Sequence, residues 1–268
     1  PLLLALSACA LVWSATHPPV PAINTDPSSQ QIYYDPVNLL SDDGTRLEGW
    51  LVPVFDARQV LAQKELLLRS RSPAVVLLHD QARSLEQVLP LIRPLHDAGF
   101  VVLALGLRGR GGTQPAGVTF GLREAADARA AVELLRRRPY VDGTKIALVG
   151  IGTGGNAAVI AAAADPMIAA VAAINPLQSP RQALRERLGA KQAWLAFLDP
   201  LCKWTFEMAY QADLNDLRPA KYEQALGTRP ALINNIGPVT ELGARHADEI
   251  LLFLDSRLSP KSASADAK

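Results

Sequence analysis

The sequence predicts an α/β fold: a mostly parallel, doubly wound sheet opened by an antiparallel strand pair. Three observations carry that reading. From residue 74 onward, short unbroken apolar runs alternate with helix-length amphipathic stretches. Before them lie two β-rich runs, 31–40 and 47–54, separated by the turn signal Ser41-Asp42-Asp43-Gly44. The apolar run 145–149 passes without a spacer into Gly150-Ile151-Gly152-Thr153-Gly154-Gly155. Strands alternating with helices need right-handed crossovers, which lay the strands parallel. Strands buried on both faces read as continuous apolar runs rather than as alternation.

Along the chain, residues 1–16 form an apolar segment without a charge. The stretch from Leu2 to Trp13 is expected to be a membrane-anchor helix or a signal-like segment. Leu6-Ser7-Ala8-Cys9 also matches the lipobox of bacterial lipoproteins, although the residues after Cys9 stay apolar. Residues 17–30 carry Pro18, Pro19, Pro21 and Pro27 and read as an extended linker. The folded domain spans 31–258. Its further strands are expected at 74–78, 100–105, 145–149, 168–174 and 231–236, and its helices at 84–98, 122–138, 153–164 and 247–258. Residues 177–228 break the alternation and read as a helical insertion or lid, with a helix from Trp194 to Tyr210 too apolar for a solvated surface. The tail 259–268 has no large apolar residue to pack and is expected to be disordered.

Composition narrows the function classes. With 49% hydrophobic and 20% charged residues, a 268-residue chain can bury its own core without disulfides or metal. A net charge of +1 argues against a nucleic-acid partner, and Arg136-Arg137-Arg138 reads as the solvated end of a helix. Cys9 and Cys202 are too few for a metal cluster and read as unpaired thiols. No metal or cofactor is expected. No Lys or Arg separates the apolar segment from Arg46, which permits a folded domain outside the cytoplasm.

The glycine-rich turn and its surroundings resemble the α/β-hydrolase superfamily, in particular its dienelactone-hydrolase and acyl-esterase-like branch. The resemblance runs from about residue 31 to 258. It includes Val75-Val76-Leu77-Leu78-His79, Arg108-Gly109-Arg110-Gly111 and Arg138-Pro139-Tyr140-Val141-Asp142. In that superfamily a Gly-x-Ser-x-Gly elbow lifts a serine hydroxyl to the carboxyl end of the sheet. Gly150 and Gly154 match the flanking glycines, and Thr153 matches the residue whose backbone N–H serves the oxyanion. The nucleophile position matches Gly152, which has no side chain with which to form an acyl-enzyme. His79-Asp80 stands where the family has His-Gly, so an acid faces the developing negative charge. The resemblance places the triad acid after the strand at 231–236 and the base before the final helix. Here no carboxylate comes before Glu241, the only histidine is His246, and the short spacing implies a domain truncated near its C-terminal end by one crossover unit and the eighth strand.

The sequence therefore leads to the expectation of a pseudoenzyme. It would lack catalytic residues and serve as a membrane-anchored structural or accessory subunit of a membrane complex, touching its partners through Trp194 to Tyr210. Two alternatives stay open. One is an active esterase with an unorthodox site, its acid drawn from Asp80, Asp127, Asp213 and Glu241. The other is nucleotide binding, because Gly150, Gly152 and Gly155 satisfy G-x-G-x-x-G between a strand and a helix. Against it, Asn175 stands where a ribose-binding acid is expected.

Overall fold

The computed structural model describes residues 2–19, 22–55, 71–110, 113, 116–179, 197–234 and 244–258. Strands β1 (Asp35–Leu40) and β2 (Arg46–Val52) form the expected antiparallel pair. They are followed by β3 (Ser72–Leu78), β4 (Val101–Leu105), β5 (Val141–Ile151), β6 (Ala170–Ile174) and β7 (Ala231–Asn234). Among the described residues these make a seven-stranded sheet in the order β1-β2-β4-β3-β5-β6-β7. β2 also runs antiparallel to β4, and every pairing from β4 across to β7 is parallel. The chain lays β4 on one side of β3 and β5 on the other. The carboxyl ends of β3 and β5 thus flank the switch point, where an open α/β sheet leaves a crevice.

Burial follows the apolar pattern. Every residue of β4 and β6 is buried, whereas the edge strand β1 alternates. One face of the sheet is covered by α2 (Leu89–Asp97) and α7 (Ala244–Leu258), which contribute Leu91, Ile92, Leu95, Ile250 and Leu254 to a common core. The other face packs on α3 (Glu124–Arg136) and α4 (Thr153–Ala164). In α3 the recurrence of Ala125, Ala128, Val132 and Leu135 supplies the inward stripe. The helix expected at 84–98 is instead a 3-10 turn, Leu85–Val88, followed by α2. Pro90 has no N–H to carry an α-helical ladder back to Glu86, so the α-helix begins afresh with proline in its first turn.

A buried ion pair fastens the strand pair to the second face. Arg108, on the loop after β4, donates from Nη2 to Asp127 Oδ1 at 2.6 Å and from Nε to Asp127 Oδ2 at 3.0 Å. The same guanidinium reaches Asp43 at 2.7 Å and Ser41 Oγ at 3.1 Å in the β1–β2 turn. Bidentate guanidinium–carboxylate geometry satisfies both partners inside the protein, which is what allows them to be buried.

Helix α1 (Leu2–Thr16) forms where the apolar anchor was expected, and its 15 residues rise about 22 Å. Among the described residues no helix is long and apolar enough to cross a membrane. One face of α1, with Ala8, Val12 and Ala15, packs with Leu198, Cys202 and Phe206 of the helical insertion. That insertion supplies α5 (Asp199–Tyr210) and the short α6 (Glu223–Leu226). The helix expected from Trp194 begins at Asp199 among the described residues. Positions 194–196 and the tail 259–268 lie outside them.

The linker beyond α1 is seated on the domain. Val118 N–H donates to Thr16 O at 2.9 Å, and Arg110 Nη1 donates to Pro18 O and Pro19 O. Glu86 Oε1 accepts from Thr25 N–H at 2.7 Å and Thr25 Oγ1 at 3.0 Å.

Candidate active site at the strand–helix elbow

The elbow lies where β5 meets α4, at the switch point. Gly152 adopts φ 55°, ψ −121°, a conformation that side-chain-bearing residues hold only under strain, and Thr153 starts the helix directly after it. Its N–H donates to Ile174 O at the end of β6, at 2.8 Å. The neighbouring Gly150 is required by close approach: a Cβ there would lie 2.1 Å from Gly154 O. Gly154 in turn lies against the end of β3, where its own Cβ would meet Leu78 O and His79 O at 2.6 Å. These contacts seat the first turn of α4 between the ends of β3 and β5.

Asp80 enters this elbow from the loop after β3. Its Oδ1 accepts from Thr153 N–H at 3.2 Å and from Thr153 Oγ1 at 2.9 Å. A Cβ built on Gly152 would stand 2.7 Å from both Cγ and Oδ1 of Asp80. The carboxylate therefore fills the space in which a residue at position 152 would begin its side chain. It also takes the Thr153 N–H that the resemblance assigns to an oxyanion. The loop is locked around it, with Gln81 N–H donating to Thr153 Oγ1 and Asp80 N–H donating to Gln87 Oε1, each at 2.7 Å. The positive end of α4 offsets the charge.

His79 is wholly buried and serves the loop. Its Nε2 accepts from Leu107 N–H at 3.1 Å, so the proton resides on Nδ1, which donates to Asp80 O at 2.8 Å. Burial pulls its pKa down to about 4, with the nearby Arg110 cation acting in the same direction and Asp80 opposing. The imidazole is neutral and both nitrogens are engaged, which suits it to holding β3 and β4 together.

Of the four candidate acids, the structure brings Asp80 to the elbow. Asp127 is consumed in the Arg108 network, and Asp213 caps the turn Leu214–Leu217 by accepting from Asn215 N–H at 2.8 Å. Glu241 and the shortened stretch around it lie outside the described residues. His246 stands in the first turn of α7. Gly150, Gly152 and Gly155 do line a helix N-terminus, but the Asp80 carboxylate already occupies it, where a pyrophosphate would need to sit. Among the described residues no group of three or more His, Cys, Asp or Glu side chains could hold a metal ion. Sequence reasoning noted Asp80 and Gly152 separately and missed that they share one space. The signal was there in complementary form, a side chain gained at one position and lost at the other.

Comparison with known proteins decides the family. A model of the alpha/beta hydrolase family matches residues 75–266. The chain belongs to that family. Two curated relatives from Mycobacterium tuberculosis, the uncharacterized proteins Rv2307c and MT2364, are each 33% identical over 155 residues, 58% of this chain. The chain spans about half the length of these relatives, 48% of each. Among solved structures, the esterase Pf2001 of Pyrococcus furiosus superposes with a TM-score of 0.65 at 16% identity, over 91% of this chain and 98% of that one. An acetyl xylan esterase from Paenibacillus sp. R4 gives 0.59 at 17% identity, over 95% and 94%. Identities this low speak for the fold alone.

These findings correct the expectation that the chain is not an enzyme. It belongs to a family of hydrolases, its elbow turns from strand to helix through a positive-φ residue, and a carboxylate is seated at the apex. A glycine at position 152 removes one hydroxyl; it does not show that activity is lost.

Proposed function

We propose that this alpha/beta hydrolase is a carboxylic-ester hydrolase whose reaction centre is the Asp80 carboxylate, held over Gly152. The supporting observation is the placement of that carboxylate: partly exposed, at the switch point, and gripped on Oδ1 by Thr153. In this reading Oδ2 takes a proton from a water molecule as the water oxygen attacks the ester carbonyl carbon. Collapse of the tetrahedral adduct breaks the bond to the alkoxide, which recovers the proton and leaves as alcohol. The positive N-terminus of α4 favours the negative charge gathered around the apex.

Hydrolysis of p-nitrophenyl acetate by the purified chain tests this. Turnover above the buffer rate is expected, and Asp80→Asn should reduce it at least tenfold while circular dichroism and melting temperature hold. No turnover by the unaltered chain, or full turnover by the folded variant, overturns the assignment.

A second reading concerns location. We propose that the outer face of α1 rests on a membrane surface, with the domain outside the cytoplasm. Leu3, Leu6 and Trp13 of α1 are exposed, as are Trp204 and Met208 of α5. Tryptophan and leucine on an uncharged helix favour the headgroup boundary. Flotation with phosphatidylglycerol-containing vesicles, lost in Leu6→Asp/Trp13→Asp, is the expected result; a wild-type chain that stays in the aqueous fraction rejects it.

A further inference from the structure

We propose that Cys9 and Cys202 are a redox pair that closes into a disulfide across the contact between α1 and α5, stapling the N-terminal segment to the helical insertion. They are the only two cysteines in the sequence, and the fold carries them onto two helices that pack together although 192 positions separate them. Cys202 is buried, 2% exposed, in a cluster shared with Ala8 and Val12 of α1. Cys9 follows Ala8 directly. At about 100° per residue it lies only about 20° around the helix from Thr16, which is itself buried. It lies at the border of the packed face of α1, between buried Thr16 and exposed Leu6 and Trp13. Ala8 and Ala15 are the small residues that let two helices approach closely enough for a bridge.

The two thiols differ in the way an exchange reaction uses. Cys9 is exposed and Cys202 is buried, and both are free in this structure. Burial pushes the Cys202 thiol up, with Asp199 and the adjacent Cys9 adding to the effect. A small-molecule disulfide reaches Cys9 first. The Cys9 thiolate attacks one of its sulfurs, the S–S bond breaks, and one small thiol departs. The Cys202 thiolate then attacks the Cys9 sulfur of the mixed disulfide and expels the second small thiol. Two protein thiols are oxidised and one small disulfide is reduced to two thiols, so atoms and electrons balance. The staple would hold α1, and through it the Thr16 carbonyl that accepts from Val118 N–H, against the domain.

The full chain is incubated with oxidised glutathione, quenched in acid, unfolded and treated with iodoacetamide. The expected product has lost two hydrogens, carries no alkyl group, and yields a peptide joining Cys9 to Cys202. Its melting temperature should rise by about 2–5 °C and return on reduction. Cys9→Ser should show neither change while melting like the reduced wild type. Persistent glutathione on Cys9 with alkylated Cys202, or two alkylated cysteines, overturns the proposal. So does a bridge found only between two chains.

Discussion

The Asp80 carboxylate and the missing side chain of Gly152 occupy one volume. Asp80 Cγ lies 2.7 Å from where a Cβ on Gly152 would stand, and Asp80 Oδ1 bonds the next residue along, Thr153. Neither feature is interpretable alone. Glycine tolerates the φ of 55° at the apex without strain, and its lack of a side chain makes room for the acid. The acid in turn supplies a partner for a helix N-terminus whose free N–H groups would otherwise face the crevice.

That sharing of space predicts coupled mutational effects. Gly152→Ala should destabilise the chain by about 2–4 kcal/mol, because a β-carbon at positive φ is strained and Asp80 must rotate away from Thr153. In an Asp80→Ala background the same change should cost about 1–2 kcal/mol less, since only the backbone strain remains. A double-mutant cycle in urea checks this; additive effects would show that the two positions do not compete.

The buried His79 predicts a pH dependence of stability. Its pKa is about 4 in the folded chain, against about 6.5 when solvated. The unfolded chain therefore binds more protons between those values, and stability is full above about pH 6.5 and falls as pH drops toward 4. The loss attributable to this residue is about 3 kcal/mol. Urea midpoints measured from pH 7.5 to 4 should fall less steeply for His79→Gln than for the wild type.

Arg108→Lys should cost about 3–5 kcal/mol. An ammonium cannot reach both Asp127 oxygens and also Asp43 and Ser41, so Asp127 is left buried and under-paired. Thermal unfolding provides the measurement. Replacing the exposed Arg129, whose partner Asp42 is exposed too, should change stability by less than about 1 kcal/mol.

Asn156→Leu should loosen the helical insertion from the sheet. The amide donates to Leu177 O at 3.0 Å and Leu217 O at 2.7 Å and accepts from Leu177 N–H at 2.7 Å, all buried. Leucine keeps the volume and strands three backbone groups, at a cost of about 2–4 kcal/mol. Faster hydrogen exchange at Leu177 and around Leu217 than in β4 is the expected signature.

By itself the sequence determined the α/β order of this protein. Unbroken apolar runs such as Val101-Val102-Leu103-Ala104-Leu105, five residues long and rich in valine, fit strands covered on both faces, and helix-period stripes such as Ala125, Ala128, Val132 and Leu135 fit an inward face. It also fixed the elbow, because glycines at 150 and 154 between a strand and a helix permit a close backbone approach that bulkier residues forbid. Tertiary structure decided the rest. Asp80 and Thr153 are 73 positions apart, Arg108 and Asp43 65, and no local pattern records which distant groups meet. The same holds for α1, whose apolar residues satisfy a membrane and a packed helix face equally well in one dimension. Only the fold lays the insertion helix against Ala8, Val12 and Ala15 while leaving Leu3, Leu6 and Trp13 outside, and only the fold turned a glycine and an acid into a single site.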